Sequence, residues 1–402
     1  MLKNSKTLLL GLLSAIFFSA FIYLDHFGFN YKVLNSLLAL LAFFMFLYIP
    51  KRAVLVAGFF VGLFWFYWIG YSFKYNGVGY LEPFITLAFG VIYMLFFAPL
   101  ALSQKAYIRA IMLFGLSFFA PMDFNWLILE LPLVDSYFSL QKYSFVLLLL
   151  AMSLLIDIKD KKLKPLALIP IILAININEP KQLDAPLNIK LIQTDISQDQ
   201  KWQQENFAKI LGEVLHKIDE AVEDGYDVVV FPESALPLFL NEQKILQNRL
   251  KELSFHISIV IGSLYKEDGL NYNVTYAFED GEEFVAKKMV LVPFGEYIPL
   301  PSFLKKPVND YFFAGASDFK TALTPSDITI KGVKFRSAIC YEASRDEIYK
   351  DNPEFVLAIS NNAWFSPSIE PTLQKLLISF FARKYNSTVY HSANYKGTGV
   401  IK

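Results

Sequence analysis

Cysteine is almost absent from this sequence, since Cys340 is the single example among 402 residues. One cysteine cannot form an internal disulfide bond, which excludes the disulfide-stabilised class of small secreted domain. The four histidines are scattered from position 26 to position 391, a spacing that does not indicate a zinc site. Basic and acidic residues balance at 37 each, so charge gives no argument for nucleic-acid binding. Cys340 is therefore a lone thiol, either inert or reactive.

Charged residues are also scarce, at 18% of the chain against 54% hydrophobic residues. Four runs contain no charge and reach the roughly 17 to 25 residues that a helix needs to cross a bilayer: 8–24, 33–49, 54–73 and 84–102. Three shorter or interrupted runs, 110–122, 143–156 and 163–177, raise the expected number of spans to about seven. The first run follows Lys3 and Lys6 as a signal peptide would, but because more spans follow it we interpret it as a retained helix.

The loop charges predict an orientation for these spans. If the amino terminus is cytoplasmic, the inside loops carry the basic groups Lys3, Lys6, Lys51, Arg52, Lys105, Arg109, Lys159, Lys161, Lys162 and Lys164. The outside loops contain few basic groups and an acidic segment around residues 123–135. This asymmetry follows the positive-inside rule. We therefore expect a multi-pass membrane domain over residues 1–178, with everything after it outside the cytoplasm, in the periplasm of a Gram-negative cell.

The sequence pattern changes after a Pro-bearing linker at residues 178–186. Residues 187–402 alternate short β-branched runs with a helical pattern at 205–225, which is typical of an α/β domain. Turn-forming residues flank most of the runs that we predict to be strands: 188–195, 226–234, 258–265, 273–280, 282–294, 328–340 and 354–365. The fold class expected from the whole sequence is a polytopic helical membrane domain followed by an α/β domain.

Catalysis by a thiol needs a base to accept its proton and a positive group where an oxyanion forms. Glu233 directly follows the apolar run VVVFP, and a lysine, Lys287 or Lys288, ends a later run. Each residue also has a structural interpretation: Glu233 as a turn carboxylate, the lysine as a solvated strand residue, and Cys340 as a small buried hydrophobe. Periodicity does not choose between the two lysines.

Four motifs occur in a characteristic order: FPESALP, KKMVLVPFGEYIP, AICYEAS and AISNNAWF. Together they resemble the nitrilase-like domain of apolipoprotein N-acyltransferases, bacterial enzymes that complete lipoprotein maturation and that also carry a preceding bundle of membrane helices. The resemblance implies an αββα sandwich, the carbon-nitrogen hydrolase fold, over residues 187–402. In this family a lysine lies eight residues before the glutamate of the PFGE motif, which selects Lys288 by its distance from Glu296.

The resemblance also implies roles for individual residues. Glu233 would be the general base, Lys288 the cation that stabilises the thiolate and the oxyanion, and Cys340 the nucleophile. Glu296, Tyr341 and Glu342 match supporting positions near the family's active site. Trp202 matches a tryptophan expected to help form the lipid-binding site.

The reaction that the resemblance implies is a ping-pong acyl transfer in the bacterial inner membrane. Cys340 takes an acyl chain from a phospholipid as a thioester and passes it to the α-amino group of the S-diacylglyceryl cysteine that begins an apolipoprotein. No cofactor or metal is expected, because the ester already carries an activated acyl group. The implied partners are these two substrates and membrane lipids, without nucleic acid, and the implied state is a monomer.

Some features depart from the family pattern. Ser366 stands where a glycine is expected, and Lys384 stands near the position of an expected glutamate. The family also typically continues beyond this point with another strand or two and an eighth membrane helix. Two other functions remain open: a membrane-anchored nitrilase-type amidase or hydrolase of a small soluble substrate, and a non-enzymatic membrane protein that binds a lipid or a partner.

Overall fold

The computed structural model describes residues 2–176, 182–293, 295–297 and 319–402. The chain divides into two compact units. The first unit comprises Met1–Lys74 and Gly79–Pro180, and the second comprises Tyr75–Val78 and Lys181–Lys402. The predicted linker at 178–186 lies only partly within the described residues.

The first unit is built from apolar helices: α1 Leu2–His26, α2 Lys32–Tyr48, α3 Lys51–Phe66, α4 Glu82–Phe97, α5 Ala106–Leu116, α6 Lys142–Asp157 and α7 Leu168–Ala174. Small residues allow α3 to pack closely on α4, since a Cβ atom at Gly58 would lie 2.6 Å from the Tyr93 carbonyl oxygen. Large apolar side chains such as Leu95 and Ile111 are more than half exposed. Helices that are apolar on their outer faces as well as their inner faces are typical of a membrane domain.

Three helical segments of the described chain are long and apolar enough to cross a membrane: Ser5–His26, Lys51–Tyr75 and Gly79–Leu102. The last two are continuous because tight 3-10 turns extend α3 and α4. Shorter apolar helices cover Lys32–Tyr48, Ala106–Leu116 and Lys164–Ala174. All four uncharged runs of the sequence therefore form helices, while the count of seven spans stays a prediction.

The second unit contains two five-stranded sheets. The first sheet has the order β1-β2-β3-β4-β5: β1 Ile189–Leu191, β2 Val228–Val230, β3 Ser258–Glu267, β4 Leu270–Glu279 and β5 Glu282–Lys287. The second sheet has the order β10-β9-β8-β7-β6: β6 Asp327–Ile330, β7 Val333–Ile339, β8 Phe355–Asn361, β9 Thr388–Asn394 and β10 Gly399–Ile401. In each sheet three neighbouring strands are parallel and the remaining pairs are antiparallel.

Successive side chains of β2 point to opposite faces of the first sheet, one face packing on the second sheet and the other on helices. Val228 and Val230 of β2 belong to a core that also includes Phe335 and Leu357 of the second sheet. Val229 points the other way, into a core shared with helical residues such as Ile218. The helices of this unit are α8 Gln198–Lys201, α9 Gln204–Glu223, α10 Lys244–Leu253, α11 Asp346–Tyr349 and α12 Glu370–Tyr385. The predicted α/β domain of the αββα type is confirmed.

Three predicted strands differ in detail from the observed ones. The run 328–340 is a hairpin, since Lys331 and Gly332 both have positive φ and turn the chain between β6 and β7. The run 282–294 keeps its strand only as far as Lys287, where β5 ends. The run 354–365 forms β8 up to Asn361 and then a 3-10 turn. Strands β9 and β10 were not predicted, because their residues include histidine, asparagine and glycine, which weaken the strand pattern.

Candidate active site

The three predicted catalytic residues lie at or just beyond the carboxyl ends of strands. Glu233 lies three residues beyond the end of β2, Lys288 directly follows β5, and Cys340 directly follows β7. Glu233 and Lys288 are almost completely buried, whereas Cys340 is only partly buried. Gly262 on β3 makes room for the Glu233 loop, since a Cβ atom there would lie 2.6 Å from the Glu233 Cα atom. The loop after β2 and strand β3 are therefore packed backbone against backbone.

A polar cluster joins Glu233 to Lys288. The Lys288 ammonium lies 2.7 Å from Glu296 Oε2 and 3.7 Å from Glu233 Oε1. Asn273 Nδ2 donates to both carboxylates, at 2.7 Å to Glu233 Oε1 and 3.1 Å to Glu296 Oε1. The Lys288 backbone N–H donates to the Asn273 carbonyl at 2.9 Å. Each of the two glutamates thus lies near the Lys288 ammonium and accepts a hydrogen bond from the Asn273 amide.

The two candidate lysines have different surroundings. Lys287 is partly exposed, pairs with Glu267 at 2.5 Å and lies over the Tyr272 ring. Lys288 has no solvent exposure. Burial by itself lowers the pKa of Lys288, but the carboxylates of Glu296 and Glu233 outweigh it and hold the pKa above its usual range. The lysine selected by the resemblance is therefore a permanent cation in the cluster.

Cys340 has an unusual backbone conformation, with φ of +55°. A non-glycine residue in this region is uncommon and is often associated with functional sites. Burial raises the pKa of the Cys340 thiol well above its usual range, and Glu233 raises it further, while Lys288 opposes them. The raised pKa disfavours the thiolate, so a base that accepts the thiol proton would assist the reaction. The role of Lys288 toward the thiolate and the oxyanion stays a prediction.

Glu342 connects the cysteine turn to the lysine segment. Its Oε1 accepts from the backbone N–H groups of Met289 at 2.5 Å and Val290 at 2.9 Å, and its Oε2 accepts from Ile339 N–H at 2.8 Å. Burial raises the pKa of Glu342 to about 7, although Lys288 and these three donors oppose the rise. The side chain therefore holds the residues after Lys288 beside the residue before Cys340.

The remaining supporting residue, Tyr341, and the predicted lipid-binding residue, Trp202, lie in different environments. Tyr341 is 2% exposed, and its hydroxyl accepts a hydrogen bond from Arg345 Nη1 at 3.2 Å. Trp202 is 46% exposed and follows the short helix α8. An exposed indole suits a surface that contacts lipid, as tryptophan is enriched at membrane interfaces.

Several polar residues of the site were missed by sequence reasoning. Asn273 lies inside β4, where asparagine is disfavoured, whereas the predicted strand began at it. Lys201 is 1% exposed and donates to the Glu233 carbonyl at 3.1 Å, and burial lowers its pKa to about 8. Glu370 and Gln374, on α12, lie in a stretch that departs from the family pattern. Of these residues, only Lys201 had a signal in the sequence, namely its position next to Trp202.

Comparisons with known proteins cover both units. The model of the apolipoprotein N-acyltransferase integral membrane domain matches residues 5–177, and the carbon-nitrogen hydrolase model matches residues 191–394. The apolipoprotein N-acyltransferase of Wolinella succinogenes is 43% identical over 98% of this chain and 96% of its own length. The chain belongs to the apolipoprotein N-acyltransferase family. The resemblance stated from the motifs is confirmed.

A second member of the apolipoprotein N-acyltransferase family, from Helicobacter pylori, is 36% identical over 92% of this chain and 87% of its own length. A solved carbon-nitrogen hydrolase superfamily protein from Xanthomonas campestris is 13% identical, covers 52% of this chain and 76% of its own, and gives a TM-score of 0.39. Family membership makes the chain a membrane protein and an acyltransferase.

Proposed function

We propose that this chain transfers an acyl chain from a phospholipid to the α-amino group of an S-diacylglyceryl cysteine at the start of an apolipoprotein, through a thioester on Cys340. The observation that carries the proposal is the cluster of Glu233, Lys288, Glu296 and Asn273 beside the only thiol of the chain. The family supports the choice of substrates, and the cluster supports the chemistry.

In the first half-reaction Glu233 is the general base. Its carboxylate accepts the thiol proton as Cys340 Sγ attacks the ester carbonyl of the phospholipid. The buried ammonium of Lys288 stabilises the oxyanion that forms. Cleavage of the ester C–O bond, with protonation of the glycerol oxygen, releases lysophospholipid and leaves an acyl thioester on Cys340.

In the second half-reaction the acceptor amine attacks the thioester carbonyl. The C–N bond forms, the C–S bond breaks, and the sulfur of Cys340 regains a proton. Water must be kept from the thioester, since hydrolysis would turn the enzyme into a phospholipase. Glu296, Tyr341 and Glu342 position the reacting groups, and the exposed Trp202 contributes to the lipid-binding surface.

Both substrates are anchored in a membrane, which fits the apolar first unit. We place the amino terminus in the cytoplasm and residues after 178 outside it, on the basis of the loop charges. The membrane domain then occupies residues 1–178 with seven spans, and the catalytic domain occupies residues 187–402 on the periplasmic side of the bacterial inner membrane.

Intact-protein mass spectrometry after incubation with a defined phospholipid tests the proposal. We expect wild-type protein to gain the mass of one acyl chain, removable by hydroxylamine, and Cys340→Ala to gain none. Addition of a peptide that begins with S-diacylglyceryl cysteine should discharge the adduct and yield an N-acylated peptide. An unmodified wild-type protein with a free thiol and an intact fold would contradict the thioester mechanism.

Two further results would favour the other two functions. Discharge of the adduct by water, with free fatty acid as the product and no acylated peptide, would support a hydrolase. An unchanged phenotype when Cys340→Ala replaces the wild type in a complemented knockout would support a non-enzymatic binding protein.

A further inference from the structure

A second buried carboxyl group lies on α12, the helix that contacts the thiol through Gln374, and the mechanism above does not use it. Glu370 is the first residue of α12 and is 1% exposed. Its Oε2 atom is buried and has no hydrogen-bond partner in the described part of the chain. A buried polar atom without a partner is costly, so it indicates a group that a ligand completes.

The face of α12 that carries Glu370 points toward Cys340. Gln374 lies four residues later, on the same side of the helix, and its Nε2 is 3.9 Å from the Cys340 sulfur. Asn362 Nδ2 donates to Gln374 Oε1 at 3.0 Å, which fixes the direction of the amide. The Glu370 carboxyl raises the pKa of the Cys340 thiol, and Glu233 raises the pKa of Glu370.

The two carboxyl groups differ in their partners. Glu233 has an ammonium at 3.7 Å and an amide donor at 2.7 Å, which stabilise a carboxylate. Glu370 has neither within the described residues. Burial, with Glu233 nearby, raises the pKa of Glu370 well above its usual range. The helix N-terminus opposes this only in part, because burying an unpaired charge costs more than the helix dipole contributes. Glu233 is thus equipped as a base and Glu370 as an acid.

We propose that Glu370 is a second catalytic carboxyl, which protonates the glycerol oxygen leaving the acyl donor and then accepts the proton of the incoming amine. This inference rests on the proposed function. In a ping-pong reaction the acceptor attacks the acyl carbon from the position that the leaving group vacated, so one carboxyl can serve both steps.

The proton balance closes over one cycle. In the first step the thiol proton passes to Glu233, the C–S bond forms, the C–O bond breaks, and the Glu370 proton passes to the glycerol oxygen. In the second step the amine nitrogen forms the C–N bond and gives a proton to the Glu370 carboxylate. The C–S bond breaks, and Glu233 returns its proton to the Cys340 sulfur. Each group ends in the state in which it began.

Leaving-group dependence tests this assignment on the full-length protein. Single-turnover acylation of Cys340 is followed by mass spectrometry with a phospholipid and with the p-nitrophenyl ester of the same fatty acid. Nitrophenolate leaves without a proton, whereas a glycerol alkoxide does not. We expect Glu370→Gln to slow acylation by the phospholipid on the order of 100-fold and acylation by the aryl ester by less than about threefold.

Four comparisons complete the test. Glu354→Gln, which removes an exposed carboxylate just before β8, should match wild type with both donors. Glu370→Asp keeps a transferable proton, so its rate with the phospholipid should lie between those of Glu370→Gln and wild type. Glu370→Gln should unfold at the same temperature as wild type. Transfer from an acyl-enzyme made with the aryl ester to the acceptor amine should also slow in Glu370→Gln.

The outcomes distinguish this inference from the function on which it rests. Equal slowing with both donors, or unchanged acylation by the phospholipid, would overturn the role of Glu370 while leaving the thioester mechanism standing. Absence of any adduct on wild-type protein with either donor would overturn the proposed function itself.

Discussion

At the scale of single residues, the site depends on contacts that spacing in the sequence does not express. Cys340 and Glu233 could be proposed from their positions after apolar runs, but Lys288 could be separated from Lys287 only through the family motif. Asn273 escaped notice because an asparagine beside a strand is most often a turn residue. Its role depends on a distance of 2.7 Å to a carboxylate 40 residues away, which only the folded chain brings about.

Gly262 offers a test of how closely the Glu233 loop is held. In Gly262→Ala the new Cβ atom would lie 2.6 Å from the Glu233 Cα atom and the Ser234 nitrogen, so the backbone must shift. We expect a loss of about 1–3 kcal/mol of stability from overpacking. Displacing the base should also slow formation of the acyl adduct by about 100-fold.

Gly212 provides the matched control for this change. It is an exposed residue of α9, and a Cβ atom there would meet nothing within 4 Å. Gly212→Ala should leave the rate unchanged and add about 0.5–1 kcal/mol of helix stability. Equal rates of adduct formation in Gly262→Ala and wild type would contradict the prediction that close packing against Gly262 positions the Glu233 loop.

At the scale of elements, the predictions succeeded where one pattern dominated a segment. The helical spacing at 205–225 became α9, Gln204–Glu223, and the run VVV became β2. They were wrong where a turn interrupts an apolar run, as in the hairpin of β6 and β7, or where polar side chains point into the core of a strand. All seven residues of β9 are buried, yet they include a histidine, a serine and an asparagine. Tertiary contacts, rather than propensity, decide such strands.

His391 of β9 gives the catalytic domain a pH-dependent element. Its Nδ1 donates to the Gly397 carbonyl at 2.8 Å and its Nε2 accepts from the Ser360 hydroxyl at 2.8 Å. Burial lowers its pKa from 6.5 to about 4. The unfolded chain therefore takes up a proton at a higher pH than the folded chain, and stability falls as the pH drops from about 6.5 toward 4.

We expect this residue alone to lower the free energy of unfolding by about 2 kcal/mol between pH 7 and pH 5. The measurement compares thermal unfolding of detergent-solubilised wild type and His391→Gln at both pH values. The glutamine can keep both hydrogen bonds but does not titrate. The difference in unfolding temperature between wild type and His391→Gln should therefore narrow or reverse at pH 5. A difference in unfolding temperature that is the same at both pH values would contradict the prediction.

At the scale of the whole molecule, composition alone separated an apolar first unit from an α/β second unit. The family models match residues 5–177 and 191–394, one in each unit. Composition sufficed here because the bilayer and water impose opposite rules on exposed side chains. The number of spans is harder to predict, since helices such as Ala106–Leu116 are shorter than a bilayer requires.

The single cysteine allows the orientation to be tested. Cys340→Ala removes every thiol, and one cysteine can then be introduced at Lys161, in a basic loop, or at Glu223, at the end of α9. With an impermeant maleimide and an opened outer membrane, we expect Glu223→Cys to react at once and Lys161→Cys only after the inner membrane is broken. The reverse labelling would place the catalytic domain in the cytoplasm.

The raised pKa of the Cys340 thiol has a consequence for its resistance to oxidation. Oxidants and disulfides react with the thiolate rather than the thiol, and burial together with Glu233 raises the pKa of this thiol, which lowers its thiolate fraction. The chain also has no second cysteine with which it could be oxidised to an internal disulfide. A nucleophile whose thiolate form is disfavoured, in a chain without a second cysteine, should therefore oxidise more slowly than an exposed, ionised thiol.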